Sequence, residues 1–192
     1  ALTPGSITDL SLLSAAGVSQ EAGDTITVTG LRIDVDTAVS LNEANIITTL
    51  AANVAAGSNA FTFKDNDTLI IGTVDGTLGV STSASNITIT LNGGTLTQTA
   101  GATINGSGLE LDAPLDITLN EANAITTLAA RVFSTGNAQF TDVDGFSVGS
   151  VGARLGVRTN DGAITLTATA GDITVNDTAA ANDIDAKAST IS

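Results

Sequence analysis

The side chains able to do chemistry are few, and they set the first limits. The 192-residue chain contains no His, Cys, Tyr, Trp or Met, which removes imidazole bases, thiol nucleophiles and every imidazole or thiolate metal site. Carboxylates, hydroxyls and six basic side chains remain. Carboxylates spaced i, i+2 stand out: Asp65 with Asp67 beside Lys64, Asp142 with Asp144, and Asp34 with Asp36, with Arg154 and Arg158 some way beyond the second pair. On a strand this spacing puts both carboxylates on one face. Clustered Asp with Arg or Lys would suit polysaccharide cleavage, the alternative enzymatic reading, although sugar sites usually add an aromatic platform and Trp and Tyr are absent. The alternating oxygens of Asp65-Asn66-Asp67 and Asp142-Val143-Asp144-Gly145 make Asp65, Asp67, Asp142 and Asp144 weak candidates for Ca2+. They lack the downstream bidentate Glu of an EF-hand loop and the glycine-rich nonapeptide of calcium β-rolls. The plainer reading puts them at solvated corners, where Asp and Asn tolerate turn backbones, and expects no cofactor and no catalysis.

Two further chemistries are weaker. Alternating threonines (Thr25, Thr27 and Thr29; Thr88 and Thr90; Thr95 and Thr97; Thr165, Thr167 and Thr169) suggest ice binding, the second alternative. An ice-binding β-solenoid needs such pairs on nearly every coil, whereas Thr is also an ordinary outward strand residue. Asn92-Gly93-Gly94 and Gly106-Ser107-Gly108 lack the Lys and helix of a phosphate cradle.

The elements that would position these groups follow from self-comparison. The stretch from Leu41 to Ala52, LNEANIITTLAA, returns from Leu119 to Ala130 as LNEANAITTLAA, identical at eleven of twelve positions and displaced by 78 residues. Downstream the displacement becomes 77, pairing Gly72-Thr73-Val74 with Gly149-Ser150-Val151 and Leu78-Gly79-Val80 with Leu155-Gly156-Val157. The chain thus reads as one continuous segment, 1–192, holding a partial copy over 1–40 and further copies over 41–118 and 119–192. Within each copy, short apolar pairs such as Leu69 with Ile71, Ile87 with Ile89 and Leu109 with Leu111 recur every ~18–22 residues, separated by Gly, Asn, Asp and Ser. This pattern predicts an all-β, right-handed parallel β-solenoid (β-helix) of about 9–10 coils, in modules of about 78 residues. The stretches 44–56 and 122–130 read as strand and corner rather than helix, because paired threonines interrupt them. Leu50, Leu69, Ile71, Ile87, Ile89, Leu109, Leu111, Leu128, Ile164 and Leu166 are the expected core, and bulky aromatics are expected to fit such an interior poorly.

Composition bounds the partners. Twenty acidic and six basic residues give a net charge of −14, which opposes nucleic acid and anionic membrane surfaces. No apolar run is long enough to span a bilayer as a helix. The phrases Gly162 to Thr167 (GAITLT), Gly171 to Val175 (GDITV), Gly101-Ala102-Thr103-Ile104 before Gly108-Leu109, and the repeated LNEAN with LAA resemble the repeats of filamentous haemagglutinin-like exoproteins, the large surface or released proteins of Gram-negative bacteria. That resemblance implies a right-handed β-helical fold, an extracellular or outer-surface location, and a structural or adhesive shaft in an adhesin, filament or sheath. The partners it implies are host or environmental surface glycans and proteins. The sequence shows no capping helix at 1–13 and continues apolar spacing through Ile184 and Ile191, so either a longer parent chain or end-to-end self-association is expected.

Overall fold

The structure, a computed structural model, describes residues 8–55, 60–176, 184–187 and 191. Among them the regular elements are all strands. β1 (Asp9–Ser14) and β2 (Val18–Ser19) precede a set of nine: β3 (Thr27–Val35), β4 (Val39–Val54), β5 (Phe61–Asp65), β6 (Leu69–Ile71), β7 (Thr73–Val74), β8 (Thr77–Leu78), β9 (Val80–Thr82), β10 (Ile87–Leu91) and β11 (Leu96–Gln98). The same succession then recurs 77 or 78 residues later as β12 (Ile104–Ala113), β13 (Ile117–Val132), β14 (Ala138–Asp142), β15 (Phe146–Val148), β16 (Ser150–Val151), β17 (Arg154–Leu155), β18 (Val157–Thr159), β19 (Ile164–Ala168) and β20 (Ile173–Val175). β21 (Ile184–Ala186) follows. The LNEAN stretches lie in β4 and β13, which are strands and not helices.

The expected open right-handed β-solenoid of repeated coils is corrected by the strand pairing. β4, β5, β10, β12, β13, β11 and β6 bond in that order and β6 returns to β4, closing a ring of seven parallel strands with the other parallel strands bonded outside it. The physical reason lies in β4 and β13. Each runs for sixteen residues, where strands of three to five were expected, and each meets different partners along its length. β4 bonds β5 near its start, β3 and β6 through its middle and β9 at its end; β13 does the same with β14, β12, β15 and β18. A strand shared in this way ties separate ladders into one ring, which an open stack of short strands cannot do.

The core follows the period-2 pattern of the strands. Phe61, Phe63, Leu69, Ile71, Ile87, Ile89, Leu91 and Leu96 are fully buried, as are Leu50, Leu109, Leu111, Leu128 and Ile164; Leu166 is partly buried against them. Aromatics are not excluded from this interior. Phe61, Phe63, Phe140 and Phe146 are all inside, the last two meeting edge to face with centroids 5.2 Å apart, and only Phe133 among the five is exposed.

Each set also carries one antiparallel hairpin, β7–β8 and β16–β17, that lies over the outer side of the sheet. Asp75 and Gly76 take positive φ in the first, the conformation a two-residue hairpin turn needs. Small residues make room beneath. A Cβ at Gly30 would stand 3.1 Å from the Val74 side chain, and one at Gly108 2.8 Å from that of Val151. Ala51 and Ala129 are fully buried next to buried Leu50 and Leu128, so burial there runs consecutively instead of alternating.

Candidate functional site

Asp65 and Asp142, expected at solvated corners, are fully buried. One carboxylate oxygen of Asp65 accepts the backbone N–H of Ile47 at 3.0 Å and the other that of Asp67 at 2.9 Å. Asp142 accepts from Ile125 at 3.0 Å and Asp144 at 3.0 Å in the same way. Desolvation pushes the Asp65 carboxyl up to about 6, against the two backbone donors that favour its charged form, and raises Asp142 for the same reason. Asp67 and Asp144 are exposed, and Asp67 accepts the N–H of Thr68 at 2.8 Å. Among the described residues no group of three or more acidic side chains is placed to hold a metal ion.

The residues that sequence reasoning missed are the partners of these aspartates. β4 advances four residues, from Leu41 to Asn45, while β5 advances two, from Phe63 to Asp65, and β13 and β14 repeat this between Leu119 and Asn123. Such a bulge leaves backbone groups without ladder partners. Buried Asn45 fills the gap: its amide nitrogen donates to the carbonyls of Glu43 and Lys64 at 3.2 and 3.0 Å, and its oxygen accepts the Ile26 N–H at 2.9 Å and the Gln20 amide at 2.6 Å. Asn123 does the same with Glu121 and Thr141 at 3.1 and 2.9 Å, Ile104 at 2.8 Å and Gln98 at 2.7 Å. The available signal was the second Asn of LNEAN, unchanged between the copies.

The bases do not join these carboxylates. Asp142 and Asp144 line a shallow groove with Gly106, Ile125 and Thr126, and Asp67 lines its counterpart with Thr27, Ile46 and Thr48; no basic side chain lines either groove. Arg154 instead reaches back from the second hairpin to Asp112, at 2.6 Å, with Glu110 at 4.0 Å. Arg131 holds Asp112 through two bonds of 2.8 Å. At the matching place in the first set, Asp34 meets Asn53 at 3.0 Å and Arg32 at 2.8 Å, and these two donors hold its carboxyl below the usual range. Its sequence neighbour Asp36 is exposed. The threonines do not form an unbroken array: Thr88 and Thr90 stand between Thr62 and Lys64 on one side and Glu110 and Asp112 on the other.

No protein-family model matches the chain, and no curated protein or solved structure matches it either.

Proposed function

We propose that this chain is a structural and adhesive, non-catalytic segment of a bacterial secreted or cell-surface protein that associates end to end through its terminal strand edges. The observation carrying the reading is where exposed apolar side chains gather. Leu13 on β1 is 63% exposed, Ile173 and Val175 on β20 are 38% and 46% exposed, and Ile191, bridged to Ile164, is 53% exposed. β1 bonds only β3, and β20 only β15, among the described residues. Apolar side chains beside unpaired strand edges favour strand addition from another copy.

Two other features support the reading. The polar residues shared by both sets, Gln20, Asn45 and Asp65 with Gln98, Asn123 and Asp142, are engaged in holding backbone. The repeat phrases that resemble filamentous haemagglutinin-like exoproteins suit an outer-surface location, and a charge of −14 discourages side-by-side aggregation. Sedimentation velocity of the 192-residue chain at rising salt, with negative-stain imaging, tests the reading. Rods that lengthen as salt screens the charge are expected; a monomer at every concentration and ionic strength would defeat it.

A further inference from the structure

The acidic chain gathers most of its few cations in one place. Of six basic residues, Arg131, Arg154, Arg158 and Lys187 line two adjoining clefts that share Arg131 and Arg158. The larger, about 300 Å3, is lined by Arg131, Val132, Phe133, Arg158, Thr159, Asn160 and Lys187, with no acidic side chain among them. Carboxylates do stand nearby. Asp112 is taken up by Arg131 and Arg154, Glu110 accepts the Thr88 hydroxyl at 3.2 Å, and Asp185 lies next to Arg158 in the β18–β21 register. Asp161 adjoins Asn160 in sequence and is exposed. The paired Asp112 fixes the Arg131 guanidinium, which also lies 5.2 Å from the Phe133 ring centroid.

Comparison of the two sets shows that this cluster is particular to the second. Positions 131, 154 and 158 correspond to Asn53, Thr77 and Ser81, and exposed Phe133 to Ala55. The Asp itself is kept, as Asp34 and Asp112. Three neutral polar residues have thus become arginines, and an alanine an exposed aromatic, on a framework otherwise repeated closely.

We propose that this cleft binds a carboxylate-bearing sugar, such as a uronic acid unit of a surface polysaccharide. The inference deepens the adhesive half of the function proposed above and rests on it for the ligand's source. Arg158 and Lys187 meet the carboxylate, Arg131 being held in reserve by Asp112; the fork of a guanidinium matches carboxylate geometry. Phe133, 41% exposed, offers a ring against which the C–H face of a pyranose packs, and the exposed Asn160 supplies amide donors and an acceptor for hydroxyls. The concave shape and the aromatic wall favour a sugar ring over a flat protein surface.

The test is titration of the 192-residue chain with trigalacturonate, neutral galactotriose, inorganic phosphate and a short acidic peptide, followed by amide chemical shifts. Trigalacturonate should bind about tenfold tighter than the other three, with affinity falling as salt rises. Arg158→Gln and the fully exposed Lys187→Gln should each weaken it by about fivefold or more, with melting curves confirming the fold, while Lys64→Gln should not. Phosphate binding as tightly would reduce the cleft to a bare anion site, and tighter peptide binding would make the ligand a protein; either result overturns the proposal, as does indifference to both variants or absence of binding. Loss of sugar binding in a chain that still forms rods would sink this site and spare the structural reading. Sugar binding by a chain that never assembles would do the reverse.

Discussion

Asp65 makes a prediction whose size follows from its burial. The carboxyl is fully buried and its affinity for a proton is pushed up to about 6 from an ordinary 3.8. Folding therefore raises its proton affinity, the native state binds more protons than the unfolded chain between those values, and stability falls as pH rises through the window. A rise of about two pH units corresponds to about 3 kcal/mol, present in full below about pH 4 and lost by about pH 7. The perturbation that isolates it is Asp65→Asn. The amide cannot accept both the Ile47 and Asp67 N–H groups, so one donor faces an NH2 group at a pH-independent cost of about 1–3 kcal/mol. Urea unfolding of both proteins from pH 3.5 to 7.5 gives the difference in stability. The advantage of the native protein should shrink by about 3 kcal/mol across that range, whatever its starting value, while the general effect of the remaining charge cancels in the comparison. A difference that stays flat, or widens as pH rises, would refute the argument that desolvation outweighs the two backbone donors.

Other outcomes follow from the same packing. Asn123→Ala should cost on the order of 2–4 kcal/mol in chemical denaturation, because it orphans the buried carbonyls of Glu121 and Thr141 and the N–H of Ile104 together. Leu50→Ala, at a fully buried position, should cost about 2–5 kcal/mol by the same measurement. Asp112→Ala should destabilise by about 3 kcal/mol or less, since the two arginines it leaves are partly open to water, and should increase proteolytic nicking in the hairpin that Arg154 anchors. Gly108→Ala should loosen the same hairpin by displacing Val151, seen as faster amide exchange in β16 and β17.

Much of the core was legible because strand periodicity is local: Leu69 with Ile71 and Ile87 with Ile89 announce an inward face without knowledge of what lies opposite. The copies at 78 and 77 residues were legible too, since Leu41 to Ala52 and Leu119 to Ala130 are nearly identical. The closure of the sheet was not, because it depends on one strand serving several partners. Nothing in LNEANIITTLAA says that Leu41 pairs with Phe63 while Leu50 pairs with Ile71 and Ala52 with Val80. Asp65 and Asp142 were visible as a pair but misplaced, since their burial is set by the bulge that Asn45 and Asn123 fill from the neighbouring strand. The cation cleft was divided in the sequence among Arg131, Arg158 and Lys187, on separate strands and a turn, and only the pairing of β13, β18 and β21 gathers it.

The claim of end-to-end association through strand edges is tested most directly at β1. Thr8 and Ser14 turn their carbonyls toward β3, so in a parallel ladder the alternate residues Asp9, Ser11 and Leu13 present their backbone groups to the open edge. Leu13→Pro removes one outward donor without touching a bond to β3, and proline is tolerated on an edge strand. Sedimentation velocity of wild type and Leu13→Pro at high salt, at matched concentration and with melting curves for both, decides the matter. The account predicts rods for the wild type and a folded monomer for the variant. Rods of equal length from both, or a monomer from the wild type itself, would contradict it.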